Sequence, residues 1–420
     1  MEHMKRLHLF EAYGIELEYM IVDRDTLDIK PIADLLLQKV NGKISNEYEN
    51  GPVTWSNELV MHVIELKCSQ PTADLVQLEK DFHANIIQIN ELLKEWNAML
   101  LPTAAHPWMN PDVEAQLWPH DQSEIYDIYN RIFNCKGHGW SNLQSMHINL
   151  PFYDDEEFAK LHNAIRIILP ILPALSASSP ILNGANTQYL DKRLFYYQYN
   201  QRRIPSITGQ VIPEKVNSKR SYHKFIYDRI ARDVAKYDPD NILEPVWVNS
   251  RGAIARFDRG AIEIRILDLQ ESPKADLSIA TLIIQLIKLL VNEKLVKSSE
   301  QQSWDVENLH RIFLKTIKLG KEAVIEQERY LQMWGIHEKT ATVGAVWQKI
   351  FQDINSHHST AMQPWNDSLR TILQTGCLSE RILQVANGIY DKNNLILIYR
   401  ELSENLQENT LFEPCHQNIV

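Results

Sequence analysis

Along the chain, polar and apolar positions alternate with period two in short stretches near residues 14–22, 60–68, 98–105, 144–150 and 261–269, and each predicts a strand. Longer stretches between and after them carry apolar residues every three or four positions, the spacing of a helix with one buried face. "ADLVQLEKDFHANIIQINELLKEW" (73–96) comes just after Pro71, with Thr72 as the expected N-cap. "DDEEFAKLHNAIRIILPILPALSA" (154–177) starts acidic, as a helix N-terminus favours, and is interrupted by Pro170 and Pro173. "SPKADLSIATLIIQLIKLLVNEKLV" (272–296) predicts a third long helix, and nearly everything from 300 to 405 has helical spacing. Long, varied connections separate the strands, which points to α+β rather than a regular βαβ series. The expected organisation is one sheet-bearing domain over about 1–300, with a helical region, 301–420, packed on it.

The polar faces of these strands have an unusual composition. Strand geometry puts Glu16 and Glu18 on one side of "YGIELEYMIVD" and Ile15, Leu17 and Tyr19 on the other. The same alternation sets Ser145, His147 and Asn149 against Met146, Ile148 and Leu150. It sets Glu263 and Arg265 against Ile262, Ile264 and Ile266, and Glu65 and Lys67 against Ile64, Leu66 and Cys68. A solvated antiparallel sheet would also alternate. Its outer face would favour threonine, lysine and mixed polar residues, whereas here it is mostly Glu, His, Arg and Asn. Carboxylates gathered on one concave face repel one another, and a divalent cation removes that cost. Oxygen-rich donors with a single imidazole suit Mg²⁺ or Mn²⁺ better than Zn²⁺. Magnesium beside an arginine is a device for handling nucleotide phosphates.

Composition narrows the classes further. The 420 residues are 44% hydrophobic and 23% charged, enough for a large core, and the formal net charge of −11 argues against a nucleic-acid partner. The longest apolar stretch, "IATLIIQLIKLLV", is too short to cross a bilayer and carries Lys288, so no membrane role is expected. "MEHMKRLHLF" lacks the apolar run of a signal peptide, and Cys68, Cys135, Cys377 and Cys415 are widely spaced, so a reduced, cytoplasmic setting without a zinc site is expected. No GxGxxG, GxxxxGK[ST], GxSxG or HExxH motif occurs, so any nucleotide must be held by another device.

Taken together, these segments match a known family. "GIELEYMIVD" resembles the G-[VI]-E-x-E-[FY] opening of the bacterial carboxylate–amine ligases, the type 2 glutamate–cysteine ligase family. "NELVMHVIELKCSQP" is similar to its second acidic segment, with Glu58 and Glu65 in the acidic places. "LLPTAAHPW", "SMHINLP", "LPALSASSPILNG" and "GAIEIRILD" resemble further family segments, in order, from about residue 11 to 295. The chain departs from the pattern twice: Ser145 replaces the first histidine of "HVHVG", and "NSRGAIARFDRG" replaces an arginine-containing run, so Arg251, Arg256 and Arg259 have no one-to-one counterparts.

The resemblance implies a glutamine synthetase-like fold, in which a curved antiparallel sheet flanked by helices forms an active-site funnel, with residues 1–300 as the catalytic ligase domain. It implies ATP as co-substrate, magnesium or manganese as cofactor, and small-molecule partners: glutamate or a related acid, and an amine. Glu16, Glu18, Glu58, Glu65, His147 and Glu263 would be metal ligands, with His147 and Glu263 completing the ion on the γ-phosphate. Glu263 and Arg265 are the expected catalytic residues, Arg265 contacting the phosphoryl group in flight. Glu58 requires a bulge or an intervening turn, because a seven-residue separation from Glu65 reverses facing on a regular strand. Arg202, Arg203, Arg256, Tyr126 and His106 are candidates for binding substrate or nucleotide, although a histidine at a strand end beside proline more often serves structure. Tyr129 and Arg131 resemble family residues at the substrate end. The 135–144 loop is either a lid or an ordinary connection, and Ser176, Ser178 and Ser179 read as a structural turn. The expected reaction is ATP-dependent amide formation through an acyl phosphate. The alternatives are a guanidino-kinase-like phosphotransfer on the same fold, or a non-catalytic binding protein that kept it. The two departures suggest an amine other than cysteine, and self-association into a homo-oligomer stays open.

Overall fold

The computed structural model describes residues 6–414 apart from Gln122. Cys415 and the first five residues of the "MEHMKRLHLF" stretch lie outside the described residues.

Eight strands form one antiparallel sheet: β1 (Gly14–Asp23), β2 (Glu47–Asn50), β3 (Val53–Asn57), β4 (Val63–Cys68), β5 (Ala98–Leu101), β6 (Ser145–Pro151), β7 (Ala253–Arg256) and β8 (Ala261–Asp268). Their order is β2-β3-β4-β1-β6-β8-β7, and β5 pairs with the far half of β1. The α+β expectation therefore holds, with β2, β3 and β7 added to the strands read from alternation.

One face of the sheet is apolar throughout. Ile15, Leu17, Tyr19, Ile64, Leu66, Met146, Ile148, Leu150, Ile262 and Ile264 are fully buried and share one core with the flanking helices. The helix Leu75–Leu93 supplies Leu78, Phe82, Ile86 and Ile89 to that core. Its N-cap is Asp74, whose side chain accepts from the Gln77 amide at 2.9 Å, rather than Thr72, whose hydroxyl instead receives the Asp74 amide. The helix Asp155–Ile168 is capped by Asp154, and Pro170 and Pro173 break the chain beyond it into two single turns. The helix Pro273–Val291 is buried nearly all round and carries Ser272 as its cap.

The C-terminal region is helical, with one small strand pair (Val324–Ile325 with Ala341–Thr342). Its helices share the main core, and two of them, Leu378–Ala386 and Lys392–Glu408, cover Met20 and Val22 on β1 and Met99 and Leu101 on β5 in a second core. The odd positions of β1 from Ile15 to Ile21 thus face one core. The even positions face a cleft at Glu16 and Glu18, then a second core at Met20 and Val22.

Candidate active site

Register brings the polar residues together. Glu16 stands opposite both Lys67 on β4 and His147 on β6, Glu18 opposite Glu65, and Glu263 opposite Asn149. Directly opposed residues share a face in an antiparallel pair, so four strands deliver one cluster. Gly14 faces Asn149, where an added Cβ would meet the Asn149 Cβ at 3.0 Å; the missing side chain leaves room for Asn149 to reach Glu16. On β8 the register shifts between Ile264 and Leu267, so Arg265 and Ile266 together span the position opposite His147. This bulge holds Arg265 at the cluster's edge.

The contacts are close. His147 Nδ1 lies 2.9 Å from Glu16 Oε2 and 3.7 Å from Glu263 Oε1. Asn149 donates to Glu16 Oε1 at 3.0 Å. The Ser145 amide donates to Glu18 Oε2 at 2.6 Å and its hydroxyl lies 3.0 Å from the same oxygen. With that hydroxyl donating to Glu18, its lone pair is free for His147 Nε2 at 3.1 Å. Ser145 thus ties a carboxylate to the imidazole where the related pattern has a histidine. Ser56 donates to Glu65 at 2.7 Å. Arg265 Nε approaches Glu263 Oε1 to 3.1 Å as an ion pair without hydrogen-bond alignment. Arg256 stands 4.0 Å from Glu263 and 3.1 Å from Asp258.

Electrostatics follow from burying so much negative charge. Burial pushes Glu58 up to about 7, aided by the Glu18 charge. Burial and the charges of Glu16 and Glu58 hold Glu65 well above the ordinary carboxylate range. For Glu16, burial acts upward but the hydrogen bond and charge of His147 outweigh it, and the group is lowered to about 2. Burial alone would lower His147; the facing Glu16, Glu18 and Glu263 raise it instead. Donor atoms of Glu16, His147 and Glu263 all lie within 4.8 Å of one another, the single such grouping of three His, Cys, Asp or Glu among the described residues.

Glu18, Ser145, His147 and Arg265 of this cluster line a cleft enclosing about 780 Å³ of empty space, open solvent at its mouth included. Glu58 lines it from the turn that ends β3 at Asn57, so the turn, not a bulge, reconciles its spacing with Glu65. The 137–143 segment forms a wall through Gly139, Trp140 and Leu143, with Trp140 packed on Tyr129 and Phe133 at 5.7 Å. Tyr126 sits beside the cleft, its hydroxyl 3.4 Å from Asn57 Nδ2.

Four candidates stand elsewhere. His106 is fully buried: one ring nitrogen contacts the Leu27 carbonyl at 2.7 Å and the other receives the Trp108 and Met109 amides, so its hydrogen-bonding capacity is spent on the backbone. Arg202 and Arg203 are exposed and absent from the cleft wall, and Arg203 spends a donor on the Ile132 carbonyl. Arg131 likewise bonds the Tyr237 carbonyl. In their place the helix Lys192–Tyr197 and the turn after it bring Arg193, Tyr197, Asn200 and Gln201 to the cleft. Period-two reading cannot find residues on a short helix; the signal available was the "SASSP" run, which holds that segment in position.

Comparison with known proteins fits this geometry. The model of the family described as "Glutamate-cysteine ligase family 2 (GCS2)" matches residues 12–390. An Archaeoglobus fulgidus protein named "Uncharacterized protein" is 34% identical over 340 residues, 79% of this chain and 90% of that one. A Ruegeria pomeroyi protein named "Putative glutamate--cysteine ligase 2" is 24% identical over 296 residues, 67% of this chain and 66% of that one. The crystal structure of a Francisella tularensis glutamate–cysteine ligase in complex with AMP superposes with a TM-score of 0.60 at 11% identity, covering 96% of this chain and 90% of that one; identity this low shows a shared, glutamine synthetase-like fold.

Proposed function

The chain belongs to the glutamate-cysteine ligase family 2, and from that premise we propose that it joins a carboxylate to an amine at the expense of ATP, through an acyl phosphate, with magnesium as cofactor. The observation that carries this reading is the convergence of Glu16, Glu18, Glu65, His147 and Glu263, with Arg265 beside them, from four strands into one cluster, of which Glu18, His147 and Arg265 line the cleft. Buried charge at this density is costly unless a cation or ligand compensates it.

The donor set fits magnesium: carboxylate oxygens dominate, one imidazole joins them, and the groups pushed up in pKa are the ones a dication would deprotonate. Glu16, His147 and Glu263 would hold one ion, with Glu18, Glu58 and Glu65 beside it for another. Bound there, magnesium supplies neutralisation of nucleotide phosphate charge. Arg265 bears on the phosphoryl group as it moves from ATP to the substrate carboxylate, giving ADP and an acyl phosphate. The amine nitrogen then attacks the acyl carbon, the C–O bond to phosphate breaks, and amide and phosphate leave. The wall of Trp140 and Leu143 narrows the cleft's contact with water, which would otherwise compete for the acyl phosphate. Residues 301–420 belong to the same compact unit in this reading.

Hydroxylamine tests this without knowing the amine, because it converts an acyl phosphate to a hydroxamate, releasing phosphate. With MgATP and a panel of amino and dicarboxylic acids, hydroxamate and ADP are expected in equal amounts. Phosphate transfer to a guanidino nitrogen, or no ATP turnover with any acid, overturns the proposal.

A further inference from the structure

Ser145 has one hydroxyl hydrogen and two neighbours able to take it. Its Oγ lies 3.0 Å from Glu18 Oε2 and 3.1 Å from His147 Nε2. Two facts decide between them. A hydrogen bond to a carboxylate is roughly twice as strong as one between neutral groups. The Ser145 backbone amide also donates to the same Glu18 oxygen at 2.6 Å, which fixes that oxygen beside the hydroxyl. The hydroxyl therefore donates to Glu18, and its lone pair is matched at His147 only when Nε2 carries a hydrogen. Ser145 and His147 are both buried, so solvent is poorly placed to do this instead.

The other ring nitrogen of His147 faces the opposite side of the cluster. Nδ1 lies 2.9 Å from Glu16 Oε2 and 3.7 Å from Glu263 Oε1, the two carboxylates with which His147 forms the metal-sized group. Asn149 steadies Glu16 by donating to its other oxygen at 3.0 Å. A neutral imidazole has one hydrogen and one lone pair, so a hydrogen kept on Nε2 leaves the lone pair on Nδ1. An acceptor on the far nitrogen is the usual means of orienting a metal-binding histidine.

We propose that Ser145 is a positioning residue for the metal centre: by holding the Nε2 hydrogen of His147, it presents the Nδ1 lone pair to a magnesium ion shared with Glu16 and Glu263. Serine stands where the related pattern has histidine, so this hydroxyl relay is a feature of this chain's own residues. The inference rests on the magnesium reading of the cluster.

The test titrates MgCl₂ into the nucleotide-free protein by calorimetry. Ser145→Ala is expected to weaken magnesium binding by about 10–100-fold. Ser145→Thr, which keeps the hydroxyl, should stay within about threefold of the wild type. In hydroxamate formation, Ser145→Ala should need about 10–100-fold more magnesium for half-maximal rate, with kcat at saturating magnesium within about threefold. Because the hydroxyl also bonds Glu18, a second readout isolates the imidazole. In magnesium-loaded protein carrying ¹⁵N-histidine, with His147 assigned from the signals lost in His147→Gln, the wild type should show hydrogen on Nε2 and none on Nδ1. Ser145→Ala should show both tautomers. If Ser145→Ala does not fold, Ser145→Cys, close in shape but a weak hydrogen-bonding group, carries the same expectations.

A serine that only fills space would leave magnesium affinity and tautomer unchanged on replacement by alanine, and that result overturns the proposal. So does hydrogen on Nδ1 in the magnesium-loaded wild type, weaker magnesium binding with the tautomer unaltered, or a threonine variant no better than alanine. No magnesium binding by the wild type would instead bring down the magnesium reading, and this inference with it.

Discussion

Replacing Glu263 by glutamine separates the cost of the carboxylate cluster from its use. Donor atoms of Glu16 and Glu263 lie within 4.8 Å. Two carboxylate charges at that distance repel by about 3 kcal/mol at an effective dielectric constant of about 20. Glutamine keeps the shape and an oxygen for Arg265, whose ion pair is partly exposed and worth about 1 kcal/mol or less after screening. Without magnesium, Glu263→Gln should therefore melt no lower than the wild type. With magnesium at about 100 times its dissociation constant, the wild type gains about 2.7 kcal/mol. Spread over an unfolding entropy of about 2.1 cal/mol/K per residue, that is a rise of about 3 °C in Tm for a chain of this length. The variant, lacking one ligand charge, should gain less than about 1 °C. Differential scanning calorimetry with and without about 10 mM MgCl₂ reads both quantities. An equal magnesium shift in variant and wild type, or a variant several degrees less stable without metal, would refute the picture of a repulsive cluster held for a cation.

Arg265→Ala should lower kcat for hydroxamate formation by about 10²–10³ while leaving KM for the acid within a few-fold, as loss of a transition-state contact does; a pure KM effect would remove it from the phosphoryl site. His162 is fully buried, lowered to about 3, with both ring nitrogens unpartnered among the described residues and Phe158 and Tyr222 rings 5.2 and 6.2 Å away. The unfolded chain takes up this proton below about pH 6.5 and the folded one does not, so stability falls as pH drops through that window; urea unfolding of His162→Phe should show a gain of about 1.4 kcal/mol relative to wild type between about pH 7.5 and 5.5, and an unchanged difference would disprove it. In Gly139→Ala the new Cβ would overlap Asn200 Oδ1, so the cleft wall must shift: KM for the acid should rise by about tenfold, with partial recovery when Asn200→Ala is added, and unchanged kinetics would show that this wall does not shape the cleft.

Much of the cleft floor was legible because strands write their facing into the sequence. Glu16, Glu18, Glu65, His147, Glu263 and Arg265 each sit at alternate positions in runs whose other residues are aliphatic, and pairing then places them together. The residues that escaped have no such period. β3 is buried on both faces over Val53–Ser56, so "VTWSN" shows no clean alternation, and β7 is four residues with two alanines. Arg193 rides a six-residue helix, and its place at the cleft rests on Asp268 and two serines far away in the chain. His106, by contrast, was a candidate through its place at the strand end in "LLPTAAHPW"; its surroundings are backbone amides and a carbonyl, which no residue pattern reveals.

The apolar end of β1 explains how one strand both anchors the fold and carries chemistry. Glu16, Glu18, Met20 and Val22 share a face, yet the first two stand in the polar cluster, Glu18 lining the cleft, and the last two lie under the helices Leu378–Ala386 and Lys392–Glu408. The C-terminal helices therefore close the far half of the face on which the carboxylates stand, and leave the near half open. Packing on both sides of Met20 and Val22 fixes β1 in register, and a one-residue slip would turn Glu16 and Glu18 into the main core. That is the physical reason the acidic pair can be held close to other carboxylates: the strand's other half determines where the pair stands, whatever the repulsion across the cleft.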